Sequence, residues 1–80
     1  MDIQDFTLTF LLPQGLDPFD YENALQEAGC DDATLSWQAG MMMLDFSRRA
    51  TSRPQAVASA LDAVRRAVPD ALPVGTIFPS

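Results

Sequence analysis

The run Ser52–Val68, SRPQAVASALDAVRRAV, constrains this chain more than any other stretch. Val57, Ala60, Leu61, Val64 and Val68 recur at i, i+3, i+4, i+7 and i+11, which draws one apolar stripe along an α-helix. Pro54 suits the first turn, where its missing N–H has no partner to lose, and Pro69 cannot continue the helix. Gln55, Ser59, Asp62, Arg65 and Arg66 fill the opposite side. A one-sided helix needs a flat apolar surface to cover, and the rest of the chain must supply it.

The remaining segments read as a small sheet and a second helix. Phe6, Leu8, Phe10 and Leu12 alternate with Thr7, Thr9 and Leu11, so residues 4–12 form a strand whose aromatic side faces the helices. Pro13-Gln14-Gly15 breaks it. Asp17 is a good N-cap with Pro18 at the first helical position; Tyr21, Ala24, Leu25 and Ala28 give the buried stripe, and Gly29 the stop. Residues 33–38 and 41–47 are two short strands around the tight turn Ala39-Gly40. Leu35, Trp37, Met42, Leu44 and Phe46 share their inner face. Residues 72–78 make a last strand, which Pro73 and Gly75 assign to a sheet edge. The order strand, helix, strand, strand, helix, strand predicts an α+β fold of the ferredoxin-like split β-α-β type. Its antiparallel sheet has the order 4-1-3-2, with both helices on one face.

Eighty residues make a single domain, 1–80, with a thin core. No run reaches the ~18 apolar residues of a membrane span, and MDIQDF lacks the basic start of a secretory signal. The single cysteine, Cys30, has no internal disulfide partner, which fits a reducing cytoplasm. Without histidine there is no ordinary general base near pH 7 and no catalytic triad. A lone cysteine excludes a cysteine-built zinc site, and the isolated glycines form no phosphate loop. No cofactor, metal site or catalytic residue is therefore expected, and the chain reads as a non-enzyme. Cys30, placed after a helix C-terminus, reads as a small buried residue.

Charge is distributed unevenly. Residues 1–47 hold nine acids and no base, a balance of −9; residues 48–80 hold five arginines against Asp62 and Asp70, a balance of +3. A field of this kind repels nucleic acid and favours a basic protein partner. Asp20, Asn23 and Glu27 share a helix face at i, i+3 and i+7, Glu22 flanks it, and Asp31 and Asp32 follow. These carboxylates, Asp20, Glu22, Glu27, Asp31 and Asp32, are the candidate partner-binding residues; the plainer reading is a solvated, well-capped helix. Arg48, Arg49 and Arg53 cluster after the third strand, where they reach phosphates or pair with the chain's own acids. Met41 and Met43 point outward from the sheet and are candidates for an apolar contact, including one with a second copy of the chain.

The segments FTLTFLLP, DPFDYENALQEAGCDDATL and LDFSRRATSRPQAVASALDAVRRAVPDA resemble the N-terminal domain of small proteobacterial helix-turn-helix proteins. EAGCDDA-L, Glu27 to Leu35, is the most specific piece, and the similarity covers about residues 5–75. In that family a DNA-reading segment follows, which this sequence, reaching only Ser80, does not include; no DNA-reading residue carries over. The resemblance implies a protein-interaction or oligomerisation module, present as a monomer or weak dimer. In size and acidity the chain also resembles small phage anti-CRISPR proteins acting on type I systems. That likeness implies an inhibitor that mimics DNA, presenting carboxylates to a basic subunit of the Cascade surveillance complex and blocking target DNA or PAM binding.

Overall fold

The computed structural model describes residues 2–78, and its central strands are β1 (Asp2–Leu11) and β3 (Met41–Ala50), paired antiparallel along their full length. β2 (Ala33–Gln38) borders β3, and β4 (Leu72–Ile77) borders β1. The sheet order is β2-β3-β1-β4, which is the expected order counted from the other edge. Two helices, α1 (Glu22–Glu27) and α2 (Arg53–Ala67), follow β1 and β3. The chain is thus an α+β protein with the split β-α-β order. β1 and β3 are longer than the alternation alone suggests; β3 continues through Arg48 and Arg49 to Ala50.

Period-two geometry sends Phe6, Leu8 and Phe10 of β1 and Met42, Leu44 and Phe46 of β3 to the helix face, all fully buried. Phe6 and Phe46 stack with ring centroids 5.2 Å apart. Trp37 points to the same face, yet it stays 39% exposed because β2 lies at the edge. Ala39 and Gly40 both take positive φ, 52° and 80°, the type I′ geometry whose twist matches a two-residue hairpin.

The first helix is shorter than its sequence suggests. Asp17 caps as expected, its carboxylate accepting from the Phe19 N–H at 3.0 Å. However, Pro18–Tyr21 form a 3₁₀ turn, closed by the Asp20 N–H on the Asp17 carbonyl at 3.1 Å. Only Glu22–Glu27 are α-helical. Its end follows the glycine rule. Gly29 has φ 99°, the Cys30 N–H reaches the Leu25 carbonyl at 2.9 Å, and the Gly29 N–H reaches Gln26 at 3.1 Å.

The stripe on α2 is real but rotated. The face fully against the sheet is Ala56, Ala60, Ala63 and Val64, with Val68 at the cap, whereas Val57 and Leu61 are half-buried at its flank. Size explains the rotation: with Phe6, Phe10 and Phe46 already filling the interface from the sheet, only alanines let the helix backbone approach closely. Ala60→Leu is therefore expected to overpack this contact and destabilise by about 1–3 kcal/mol. Leu61→Ala, at the half-exposed flank, should cost less than the ~2–5 kcal/mol of a buried leucine. Denaturant midpoints of the two variants test the order. A larger loss for Leu61→Ala would restore the stripe centred on the larger residues.

Candidate functional site

The arginines after Phe46 do not form the expected surface cluster. β3 keeps its alternation, so Arg48 falls on the helix face with Met42, Leu44 and Phe46, while Arg49 falls on the open face opposite Ile3. The Arg48 side chain is only 13% exposed, and its guanidinium lies 5.1 Å from the Phe46 ring centroid. Its Nε and one terminal nitrogen donate to the two carboxylate oxygens of Asp32 at 2.8 and 3.0 Å. The same head donates to the Gly29 carbonyl at 2.6 Å and to Ser59 Oγ at 3.1 Å. One side chain thereby ties the end of α1, the turn before β2 and the middle of α2 to β3. The hydrogen bonds that the Arg48 guanidinium donates to Asp32 hold it still more firmly protonated, against the opposing effect of burial.

This pairing divides the five candidate carboxylates. Asp32 is partly buried, and both of its carboxylate oxygens are engaged by Arg48, which neutralises it. Asp20, on the 3₁₀ turn, Glu22 and Glu27, on α1, and Asp31, in the following turn, are exposed. None of these four joins an ion pair among the described residues, where the other pair is Arg66 with Asp62 on α2. Nor do they form one array. Glu22 and Glu27 are about 140° apart around the helix at ~100° per residue, and Asp20 lies before the α-helix begins.

The open face of the sheet has its own pattern, read directly from strand register. One row across it runs Gln38, Met41, Leu11, Leu72; the next Ser36, Met43, Thr9, Gly75; the third Thr34, Asp45, Thr7, Ile77. Leu11, Leu72 and Ile77 are 42%, 61% and 56% exposed, whereas Met41 and Met43 are half-buried between their neighbours and not fully outward. Thr7 donates its hydroxyl to Asp45, and Ser47 donates to Asp5 at 2.7 Å, so both carboxylates of this face are held by the hydroxyl directly opposite. A shallow hollow of about 320 Å³ lies over them beside Ile77.

Cys30 is buried in the core cluster. Burial pushes its thiol above the ordinary cysteine range; Arg48 pulls the other way and Asp32 adds to the rise. It therefore stays protonated at neutral pH. Among the described residues no group of three or more Cys, Asp or Glu side chains is placed to hold a metal ion, and no helix is long and apolar enough to cross a membrane.

Compared with known families, curated proteins and solved structures, the chain matches none.

The Arg48–Asp32 fork has a direct test. Arg48→Met should strand the Asp32 carboxylate and the Gly29 carbonyl and lower stability by about 2–3 kcal/mol. Arg48→Lys should recover only part of the loss, because an ammonium cannot make the two-pronged contact and reach the carbonyl together. Urea unfolding of Arg48→Met, Asp32→Asn and the double variant should reveal a coupling well above the ~0.5 kcal/mol of independent sites. Additive losses would reduce the fork to a surface pair.

Proposed function

We propose that this domain is a non-catalytic protein-interaction module that pairs with a second copy of itself through the uncovered face of its sheet. The observation that carries the reading is the apolar patch of Leu11, Leu72 and Ile77 around Met41 and Met43. An antiparallel sheet with one wet face ordinarily alternates apolar-in and polar-out; β2 obeys throughout, with Thr34, Ser36 and Gln38, whereas β1, β3 and β4 add Leu11, Met41, Met43, Leu72 and Ile77 to a face that also carries Asp5, Thr7, Thr9, Asp45, Ser47 and Arg49. The exposed acids of Asp20, Glu22, Glu27 and Asp31 belong to the other layer, so face-to-face packing of two sheets keeps the two acidic layers apart. The reading suits the resemblance to the N-terminal domain of small proteobacterial helix-turn-helix proteins, since such regulators commonly read DNA as dimers. Sedimentation should show a dimer that changes little between low and high salt. Leu11→Glu and Ile77→Lys should each weaken it by about tenfold or more while leaving the fold intact. A monomer at every concentration would reject the module.

A second reading has its own support in the four unpaired carboxylates Asp20, Glu22, Glu27 and Asp31. On that reading the chain is an anti-CRISPR inhibitor whose acids occupy a basic DNA-binding surface of a type I surveillance complex. Its attraction would be largely electrostatic and would fall steeply with salt. Competition with target DNA at two salt concentrations separates the two readings. A salt-sensitive block, lost on charge reversal at Glu27 and Asp31, supports mimicry; no block rejects it.

A further inference from the structure

The two edges of the sheet are not equivalent. β4 is blunted: Pro73 removes one backbone donor, and the pairing with β1 slips at Thr9/Phe10, leaving Val74 as an extra residue. β2 carries neither device. Ala33–Gln38 contains no proline, no charge and no irregularity, and its register with β3 is continuous over all six residues. Natural sheets seldom leave such an edge without lysine, proline or a bulge, because its free N–H and C=O groups are a template for another strand.

The surroundings of that edge select what would lie there. On the helix side a small crevice of about 40 Å³ separates α1 from β2, with Glu22 and Gln26 on one wall and Ala33 and Leu35 on the other. Trp37 continues the apolar side of the edge and is partly open to solvent. On the other side β2 offers Thr34, Ser36 and Gln38, all uncharged. A second copy of this chain fits badly. Pairing β2 with β2 about a twofold axis sets the two α1 helices side by side, each with an unpaired Glu22, and residues 1–47 hold no base to answer them.

We infer that the free edge of β2 accepts an extended segment of a basic protein as a fifth strand. In that segment apolar side chains enter beside Leu35 and Trp37, and lysines or arginines reach Glu22. Backbone hydrogen bonds supply the pairing, and Glu22 on the α1 wall supplies the sign of the partner's charge. The inference shares Glu22 with the second reading but needs neither the apolar sheet face nor competition for DNA, so strand pairing at β2 is tested apart from both.

The test uses an acetylated, amidated octapeptide of alternating lysine and valine, followed by amide NMR and hydrogen exchange on the intact chain. Shifts and new protection should concentrate in residues 33–38, with β4 unchanged. Glu22→Lys should weaken binding by about tenfold, and raising the salt should weaken it as well. N-methylation of alternate peptide amides leaves charge and side chains in place but removes donors; in one of the two registers it should abolish the protection. Equal binding of a valine–glutamate peptide, no loss with either N-methylated register, protection at β4, or no binding at all would each overturn the inference.

Discussion

The fork from Arg48 to Asp32 fixes how the two layers of this domain meet. Burying a guanidinium costs several kcal/mol unless its donors are answered, and here the carboxylate, a helix-end carbonyl and a hydroxyl answer them. Each partner belongs to a different segment, so the contact specifies relative position as well as contributing energy. The Gly29 carbonyl is available only because α1 ends there in a left-handed glycine. Ser59 is available only because α2 turns its alanine face to the sheet and its serine toward β3 and α1. The fork also pairs one acid of the acidic half with one base of the other and leaves the net charge of −6 unchanged.

The core around the fork is built on unequal partners. Phe6, Phe10, Phe46, Leu8, Leu44 and Met42 give the sheet nearly all the bulk, and α2 answers with Ala56, Ala60 and Ala63. A domain of this length buries about 60% of its unfolded surface, so few large side chains are available to it. Placing them on one face of the sheet leaves the other without a covering element among the described residues. Ile3, Leu11, Leu72 and Ile77 are exposed apolar residues on that open face.

Most of the architecture was legible because its signals are local. The alternation Phe6-Leu8-Phe10, the stop at Gly29 and the edge character of Pro73 and Gly75 each depend on a few neighbouring residues. What escaped were consequences of contacts between elements. The sequence favoured Val57 and Leu61 as core because they are large, whereas the facing phenylalanines reserve that space for alanine. The 3₁₀ start of the first helical segment erased the shared face of Asp20 and Glu27, since that face assumed one continuous α-helix. The burial of Arg48 was readable in part. It has the parity of Phe46, and an arginine on an inner face demands an acid nearby. Ending the strand at Ser47 concealed it. Which acid answers could not be read, because Asp32 meets Arg48 only once the hairpin register is set.

The two layers hold their carboxylates differently. The helix layer carries unpaired carboxylates, while the two carboxylates of the open sheet face are each held by an opposing hydroxyl. Water can leave the sheet face without exposing an unanswered acid at Asp5 or Asp45. The same removal beside Glu22 would strand a charge unless a cation replaced the water. The two surfaces therefore ask for partners of different chemistry. They also do not compete for space, because a sheet packed on the open face of β1 and β4 leaves the β2 edge, at the opposite side of the sheet, open for a strand.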